Sequence, residues 1–367
     1  MQSLELLTPK VDIKCLTSLT KLHTLGVSAS ANLSCLTVLT GLHTLTLRLS
    51  TSEGNLFCLS ALTGLRTLFI SDFLRVNSED MSFLTLLTGL QALKLCVNGN
   101  ISFLTLLTCL HTLELSSTNA CINSLSALTG LHTLYLETDQ EDMSCLSILS
   151  NLTNLHIAPI KIQSLDFLTA LTELESLHLP QLQSRLPGHI TSNDPLTILT
   201  TLKKLHTLSS IHCQNITMIN CLTHLTGLKV LELPNSCIYD KRPLTFLTSL
   251  HTLDLSNTNT TDGDLDVLAS LSGLRILDLS NTSITDDGLA KLTVLNELES
   301  LRLSIQQFTT IEEVMIEGCS LLTKIGCLET LPNLLAINDM PVEALQVRKS
   351  FLFQLRGRRR ERPYESD

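Results

Sequence analysis

The sequence has no tryptophan, and only three tyrosines and ten phenylalanines occur in its 367 residues. Large aromatic side chains usually anchor the core of a compact domain, so their scarcity argues against an ordinary aromatic core. Leucine takes their place, because 85 residues are leucine. A chain of this length would usually form about two domains, but a repeat array is not limited by one compact core. The composition therefore favours a repeat array.

Long apolar runs are also missing. Thr, Ser, His and charged residues interrupt every apolar stretch before it reaches the roughly 20 residues that span a bilayer. The first segment, MQSLELLTPKVDIK, lacks a positively charged region followed by an apolar one, so it does not resemble a signal peptide. We therefore expect an intracellular protein, cytoplasmic or nuclear, that does not bind membranes.

Charge is unevenly distributed along the chain. The net charge is −10, whereas residues 341–367 hold seven Lys and Arg against four Asp and Glu. The rest of the chain is therefore more acidic than the total suggests. An acidic body disfavours nucleic acid and anionic membranes as partners, since both attract positive surfaces. It favours a protein partner with a basic surface.

The pattern Leu-x-x-Leu-x-x-Leu-x-Leu recurs through the chain, with clear copies that begin at Leu39, Leu87, Leu107, Leu128, Leu225 and Leu271. We place its third leucine, the register position, at residues 25, 45, 68, 93, 113, 134, 155, 177, 211, 231, 253, 277, 301 and 337. Units of 20 to 25 residues that give one strand and one return segment bury their leucines against neighbouring units. We predict an α/β solenoid over residues 1–340, a horseshoe with a parallel concave sheet of about 14 short strands and a convex side of loops, 3-10 turns and short helices.

Two steps between register positions are too long for one unit. Residues 180–198 are rich in turn-forming Pro, Gly, Asn and Asp, which predicts a surface insertion. After it we prefer Ile211 to Leu208 as the register position, because the step from Ile211 to Leu231 equals the step from Leu25 to Leu45. Residues 304–327 are predicted to form a degenerate unit.

With these repeats the chain resembles the leucine-rich-repeat superfamily over about residues 10–340. Short units such as LELSSTNACINSLSALTGLHTL (113–134) resemble those of bacterial internalins and of the repeat-type regulatory subunit of protein phosphatase 1. Two units, LDLSNTNTTDGDLDVLASL and LDLSNTSITDDGLAKL, resemble the Thr-x-Ile-Thr-Asp-x-Gly-Leu variety instead. The resemblance implies an intracellular repeat protein.

The C-terminal part resembles the cap of the phosphatase-regulator type. The string Leu331-Pro332-Asn333-Leu334 matches the start of that cap, so a cap is expected over residues 331–355. A cap is physically required because the last repeat would otherwise expose an apolar end and an unpaired sheet edge. Residues 356–367 are expected to be a basic, disordered tail.

Motifs that would carry catalysis are missing. The sequence contains no glycine-rich phosphate loop, no His-Glu-x-x-His and no nucleophile elbow. Its twelve cysteines include no Cys-x-x-Cys pair. Many of them stand ten places before a register position, where they alternate with Phe and Val, so we interpret them as small buried apolar residues. We therefore expect a protein that is not an enzyme and has no catalytic residue, metal ligand or cofactor.

The residue between the last two leucines of each unit is the most informative for function. Alternation along a strand directs it away from the core, onto the concave face. The candidate partner-binding residues are Glu114, Tyr135, His156, His178, His212, Glu232, Asp254, Asp278 and Arg302. The run of three acids predicts a patch that takes basic side chains, with an ordinary hydrated surface as the alternative. A metal site on the three histidines is disfavoured, since parallel side chains of one sheet rarely converge on a tetrahedron.

These observations lead to a functional hypothesis. We expect a non-catalytic, monomeric scaffold that binds a protein partner on the concave face, because each repeat adds an exposed residue without disturbing the cores of its neighbours. Two alternatives remain open, a regulatory subunit of a protein phosphatase and a substrate-recognition subunit of a larger enzyme complex.

Overall fold

A computed structural model describes residues 2–6, 13–29, 33–49, 55–72, 76–158, 162, 164–179, 195–210, 219–303, 336–337 and 340–341. The chain forms two compact units, Met1–Leu205 and His206–Asp367, here called unit 1 and unit 2. Within each unit, strands alternate along the chain with short helices, most of them of the 3-10 type. The predicted alternation of strand and return segment is thus confirmed in both units.

Unit 1 contributes the following elements in its described residues. Its strands are β1 (Ser3–Leu6), β2 (Thr24–Ala29), β3 (Thr44–Leu49), β4 (Thr67–Asp72), β5 (Val76–Asn77), β6 (Ala92–Asn98), β7 (Thr112–Thr118), β8 (Thr133–Thr138), β9 (Asn154–Ala158) and β10 (Ser176–Leu179). Its 3-10 helices are Ile13–Ser18, Ser34–Val38, Leu56–Ala61, Ser78–Leu86, Ser102–Leu106, Ile122–Ala127, Ser144–Ile148, Asp166–Ala170 and Pro195–Thr201.

The leucine spacing explains the 3-10 helices of unit 1. A 3-10 helix has three residues per turn and bonds each N–H to the carbonyl three residues earlier. Leucines at 33, 36, 39 and 42 follow that spacing, and each backbone N–H from Leu36 onward donates to the preceding leucine carbonyl at 2.9 to 3.0 Å. All four side chains are at most 1% exposed. Leucine at every third residue therefore gives the return segment both its helix type and its buried edge.

The strands of unit 1 pair in parallel with the predicted register. Leu25 stands opposite Leu45, and the same correspondence continues along the register leucines to Leu155 and Leu177. The strand β1 adds one repeat that the sequence did not predict, because Leu4 stands opposite Leu25. Within each strand, buried leucines alternate with more exposed residues, which leaves one face of the sheet available to solvent.

Unit 2 contributes shorter strands. They are β11 (Thr207–Ser210), β12 (Val230–Glu232), β13 (Thr252–Asp254), β14 (Ile276–Asp278), β15 (Ser300–Arg302), β16 (Ala336–Ile337) and β17 (Met340–Pro341) in the described part. The 3-10 helices are Asn220–His224, Arg242–Phe246, Asp262–Asp264 and Ala290–Val294, and the α-helices are α1 (Leu265–Ala269) and α2 (Asp286–Leu289). The two α-helices fall in the units of the Thr-Asp-x-Gly-Leu variety.

The register after the long step differs from the prediction. Leu208, rather than Ile211, stands opposite Leu231, so Ser209 occupies the outward position beside Glu232. The preference for Ile211 was wrong because it rested on spacing alone, whereas Leu208 continues the three-residue leucine series from Leu202 and Leu205, which the 3-10 helix requires. The later positions are confirmed, including Ile337 opposite Leu301.

Several predicted segments extend beyond the described residues. The insertion was expected at 180–198, but residues 195–201 already form a 3-10 helix, and residues 180–194 lie outside the described part. The degenerate unit at 304–327 and the tail at 356–367 also lie outside it. Of the cap expected at 331–355, the structure describes β16 and β17, which pair antiparallel.

Asparagines in a left-handed conformation lie three residues beyond three of the short strands of unit 2. Asn235, Asn257 and Asn281 have φ between 55° and 57°, each four residues after the register leucine. Asparagine and glycine accept this conformation more readily than other residues do. The chain therefore turns at the same position of each of these three repeats.

This conformation predicts the effect of substitutions at Asn257. The change Asn257→Ala should lower the free energy of unfolding by about 1 kcal/mol, because an alanine Cβ is disfavoured in the left-handed region. Asn257→Gly should cost less, since glycine has no Cβ. Urea unfolding followed by circular dichroism measures both, and an equal loss for the two variants would contradict the conformational explanation.

Ser117 is a buried polar residue without a partner. Its side chain is fully buried, and among the described residues its hydroxyl is the one buried side-chain group without a hydrogen bond. Val97 fills the opposite position on the neighbouring strand, where it is 0% exposed. A buried hydroxyl without a hydrogen bond costs free energy that an apolar side chain of similar shape does not.

We therefore predict that Ser117→Ala stabilises unit 1. The expected gain is about 1 kcal/mol in the free energy of unfolding, since the unpaired hydroxyl is removed and no atom is added to the packed interior. Thermal and chemical unfolding measure the change. The control is Ser116→Ala on the outward side of the same strand, which should have little effect; a loss of stability in Ser117→Ala would refute the prediction.

Candidate functional site

The outward face of the strands, which we call the strand face, carries the candidate binding residues. Each repeat of unit 1 has one outward residue directly after its register leucine. These residues are Gly26, Thr46, Phe69, Lys94, Glu114, Tyr135, His156 and His178. The structure therefore places Glu114, Tyr135, His156 and His178 on neighbouring strands, as the sequence predicted.

A charged pair borders a depression on this face. Lys94 Nζ lies 2.5 Å from a carboxylate oxygen of Glu114, and both side chains are more than one third exposed. The depression has a volume of about 410 Å³ and is lined by Ile70, Ser71, Lys94, Leu95, Cys96, Glu114, Leu115, Ser116, Tyr135 and Glu137. Its walls combine both signs of charge with an aromatic ring, a mixture suited to a polypeptide surface.

The lining includes residues that the sequence reasoning missed. Ser71, Cys96, Ser116 and Glu137 stand two places after the outward residues of the first row and form a second row. Alternation along strands of six or seven residues was the signal that could have found them. The prediction treated every strand as short enough to carry one outward residue.

Three rings stack along the next part of the strand face. The ring centroids of Tyr135 and His156 lie 4.0 Å apart with planes at 15°, and those of His156 and His178 lie 5.1 Å apart at 29°. Burial lowers the pKa of His156, and the neighbouring His178 lowers it further. The neutral form of His156 is therefore favoured, which lets the rings stack without repulsion between imidazolium groups.

The strand face of unit 2 is dominated by acids. Its outward residues are Ser209, Glu232, Asp254, Asp278 and Arg302, in parallel register on adjacent strands. One guanidinium nitrogen of Arg302 lies 3.8 Å from a carboxylate oxygen of Asp278. Glu232, Asp254 and Asp278 thus form a continuous row of like charges, which we call the acidic row.

Two members of the acidic row also shape the backbone. Asp254 accepts a hydrogen bond from the backbone N–H of Ser256 at 2.8 Å, and Asp278 accepts one from Ser280 at 2.9 Å. Each bond closes a turn directly after the strand. Glu232 has no such turn, because proline follows Leu233 and the residue two places on lacks an N–H.

The acidic row shifts the titration of its central member. Burial raises the pKa of Asp254 above its usual value of 3.8; the hydrogen bonds from Ser256 oppose the shift, and the charges of Asp278 and Glu232 add to it. A carboxyl whose pKa is raised by folding disfavours the folded state at neutral pH, and this penalty fades as the pH falls through the raised pKa. A positive group placed beside the row would relieve it.

The remaining sequence predictions concern histidine and cysteine. His212 lies outside the described residues. In the part of the chain that the structure describes, no group of three His, Cys, Asp or Glu side chains is arranged to hold a metal ion. Cys221 is buried, whereas Cys35, Cys58 and Cys145 are only partly buried, so the expectation of buried cysteines holds unevenly. Burial raises the pKa of Cys145 to about 11, which disfavours the reactive thiolate.

Comparisons with known proteins extend the geometric result. An internalin, InlF from Listeria monocytogenes, superposes with a TM-score of 0.61 at 26% identity, over 82% of this chain and 84% of that one. The chain has the leucine-rich-repeat fold. The internalin InlJ from the same bacterium has a TM-score of 0.52 at 21% identity, over 83% of this chain and 73% of that one. A leucine-rich-repeat protein of Leptospira interrogans has a TM-score of 0.50 at 18% identity, over 91% and 93% of the two chains.

Sequence comparisons alone do not find these similarities. No family model matches the chain, and no curated protein matches it. The resemblance to the short-repeat internalin class is confirmed at the level of the fold, whereas the resemblance to the phosphatase regulatory subunit stays a prediction. Among the described residues of this leucine-rich-repeat protein, no helix is long and apolar enough to cross a bilayer.

The ring stack predicts a pKa change in His156. The variant His178→Gln should raise the pKa of His156 toward its ordinary value, since the variant removes a neighbouring imidazolium. Histidine ring resonances followed by NMR over a pH series measure this shift. The matched control is His132→Gln, whose ring stacks on His111 rather than on His156. An unchanged His156 titration in His178→Gln would show that the two rings do not interact.

Proposed function

We propose that this leucine-rich-repeat protein is a non-catalytic, intracellular interaction scaffold whose strand face binds a protein partner through basic side chains. The observation that carries the proposal is the acidic row of unit 2. The three acids stand at corresponding positions of adjacent parallel strands, which lie about 5 Å apart, so that neighbouring like charges oppose folding. A surface that retains this repulsion is suited to a ligand that neutralises it.

Two further features support a polypeptide as the partner. The row is flanked by Arg302, which supplies an opposite charge at its end. A partner with successive basic side chains followed by an acidic one could therefore align along it. The acidic composition of the chain disfavours nucleic acid, whose phosphates the same carboxylates would repel.

The strand face of unit 1 offers a second kind of contact. Tyr135 is 38% exposed and lies at the end of the ring stack beside the depression that Lys94 and Glu114 border. Exposed tyrosine contributes large contact area at low entropic cost and is frequent in protein interfaces. Glu114, Tyr135, His156 and His178 therefore remain the candidate contacts of unit 1.

Binding by the acidic row can be tested with a defined probe. The variant Glu232→Lys should weaken binding of a fluorescent lysine-rich peptide about tenfold, equal to about 1.4 kcal/mol, because it replaces an attraction by a repulsion. Fluorescence anisotropy at low and high salt measures the affinity, and binding to the wild type should weaken as salt increases.

The control variants separate charge from folding. Glu297→Lys makes the same charge change at an exposed position of unit 2 outside the strand face, and it should leave most of the affinity intact. Asp254→Asn keeps an oxygen that can accept the Ser256 hydrogen bond while it removes the charge. Equal affinities for Glu232→Lys and Glu297→Lys would refute the acidic row as the binding site.

A regulatory subunit of a protein phosphatase and a substrate-recognition subunit of a larger enzyme complex are more specific versions of the scaffold. The first has its motivation in the Leu331-Pro332-Asn333-Leu334 string and the second in the non-catalytic repeat surface. Purification of the chain from its native cells, wild type beside Glu232→Lys, tests both. Recovery of a phosphatase catalytic subunit with the wild type alone would favour the first version.

A further inference from the structure

A regular apolar stripe runs along the 3-10 helices of unit 1, away from the strand face. In seven consecutive repeats it contains the residue seven places before the register leucine: Val38, Ala61, Leu86, Leu106, Ala127, Ile148 and Ala170. The four larger side chains are 46%, 55%, 53% and 53% exposed in chain order. Exposed apolar residues are normally scattered singly over a protein surface. Aliphatic side chains that are about half exposed at the same position of successive repeats are therefore unusual.

The surface around the stripe is uncharged over most of its length. In the helices from Ser34 to Ile148, charged residues occur only at Glu79 and Asp80, at the start of the helix Ser78–Leu86. The residue beside the stripe in each helix is Ser or Thr. The hydroxyl groups that the stripe borders donate to backbone carbonyls three residues earlier, for example Thr85 to Ser82 and Thr105 to Ser102, both at 2.8 Å.

These internal hydrogen bonds make the surface less dependent on water. The same bond recurs in neighbouring units, from Thr37, Ser126, Ser147 and Thr169 at 2.7 to 2.8 Å. A hydroxyl that already donates within its helix loses less when a partner displaces its water. Exposed threonines such as Thr88 and Thr108, one turn further along each unit, provide an uncharged polar rim.

The order of side-chain sizes along the stripe fits a second copy of the same chain. Reversed about Leu106, the stripe places a large residue opposite an alanine at every position except the axis itself. Val38 then faces Ala170, Ala61 faces Ile148 and Leu86 faces Ala127, while Leu106 meets its own copy. A twofold axis through Leu106 therefore gives a pair of central leucines with complementary large and small residues on both sides, which is what a self-complementary contact between identical chains requires.

We propose that unit 1 forms a twofold symmetric homodimer through this stripe, with Leu106 at the axis. Seven repeats at a spacing of about 5 Å make the stripe roughly 30 Å long, which is enough for the apolar centre of an interface whose rim is the threonine row. This departs from the monomer that the sequence predicts. The surface is independent of the acidic row, so the proposed function and the dimer can fail separately.

Charge also favours the stripe over other contacts between copies. Two chains of net charge −10 repel each other, and an uncharged surface is where they can approach at the lowest electrostatic cost. Dimerisation should therefore strengthen as salt increases, because salt screens the repulsion. Binding of a basic peptide to the acidic row should respond to salt in the opposite direction.

Sedimentation velocity on the full chain over a concentration series tests the dimer. Leu106→Glu should weaken self-association at least tenfold, because it places two like charges at the axis. The matched control is Val294→Glu, which changes the same position of a repeat in unit 2, where the side chain is 56% exposed. It should leave the association constant within twofold of the wild type, and circular dichroism should show that both variants are folded.

A charge pair tests the predicted facing residues. Leu86→Lys and Ala127→Glu should each weaken the dimer. The double variant should restore association to within a few-fold of the wild type, since the introduced lysine of one copy would then face the introduced glutamate of the other. A monomeric wild type at every concentration, equal association of Leu106→Glu and wild type, or no restoration in the double variant would each overturn the proposed dimer. Occupation of the stripe by a different protein in place of a second copy would overturn it as well.

Discussion

The structure depends on one physical constraint: a single repeat cannot bury its own leucines. The 3-10 helix holds its leucines on one edge, and the strand holds two more on its inner side, so each layer is covered only when the next layer lies against it. The fully buried register leucines from Leu25 to Leu177 show this coverage in unit 1. Substitutions inside a layer therefore destabilise its neighbours, whereas outward positions are free to vary in chemistry.

Much of the fold could be predicted because the leucine spacing encodes two periods. Leucines three positions apart specify the 3-10 helix, and leucines two positions apart specify the strand. The error at Ile211 arose where these signals competed with the total length of a unit. Length varies with turns and insertions, whereas the three-residue series through Leu202, Leu205 and Leu208 reflects hydrogen bonding within the unit.

The candidate site was less predictable, since its chemistry depends on contacts between strands. The sequence could place Tyr135 and His156 on neighbouring strands, but not show that their rings lie 4.0 Å apart. Nor could it show that Asp254 closes a turn through Ser256 while it carries charge in the acidic row. Both roles reside in one carboxylate, so only a substitution that preserves the acceptor oxygen can separate recognition from folding.

The left-handed asparagines have a consequence for how the two units can diversify. In unit 1, β6 and β7 continue for seven residues and expose a second outward row before the left-handed Gly99 and Asn119, whereas in unit 2 Asn257 and Asn281 follow the register leucine after only four residues. A ligand on unit 1 can thus contact two outward residues of the same strand, whereas a ligand on unit 2 contacts one outward residue per strand. Substitution of an outward residue in unit 2 would therefore remove the only outward contact of its strand. In unit 1 a second outward residue of the same strand would remain.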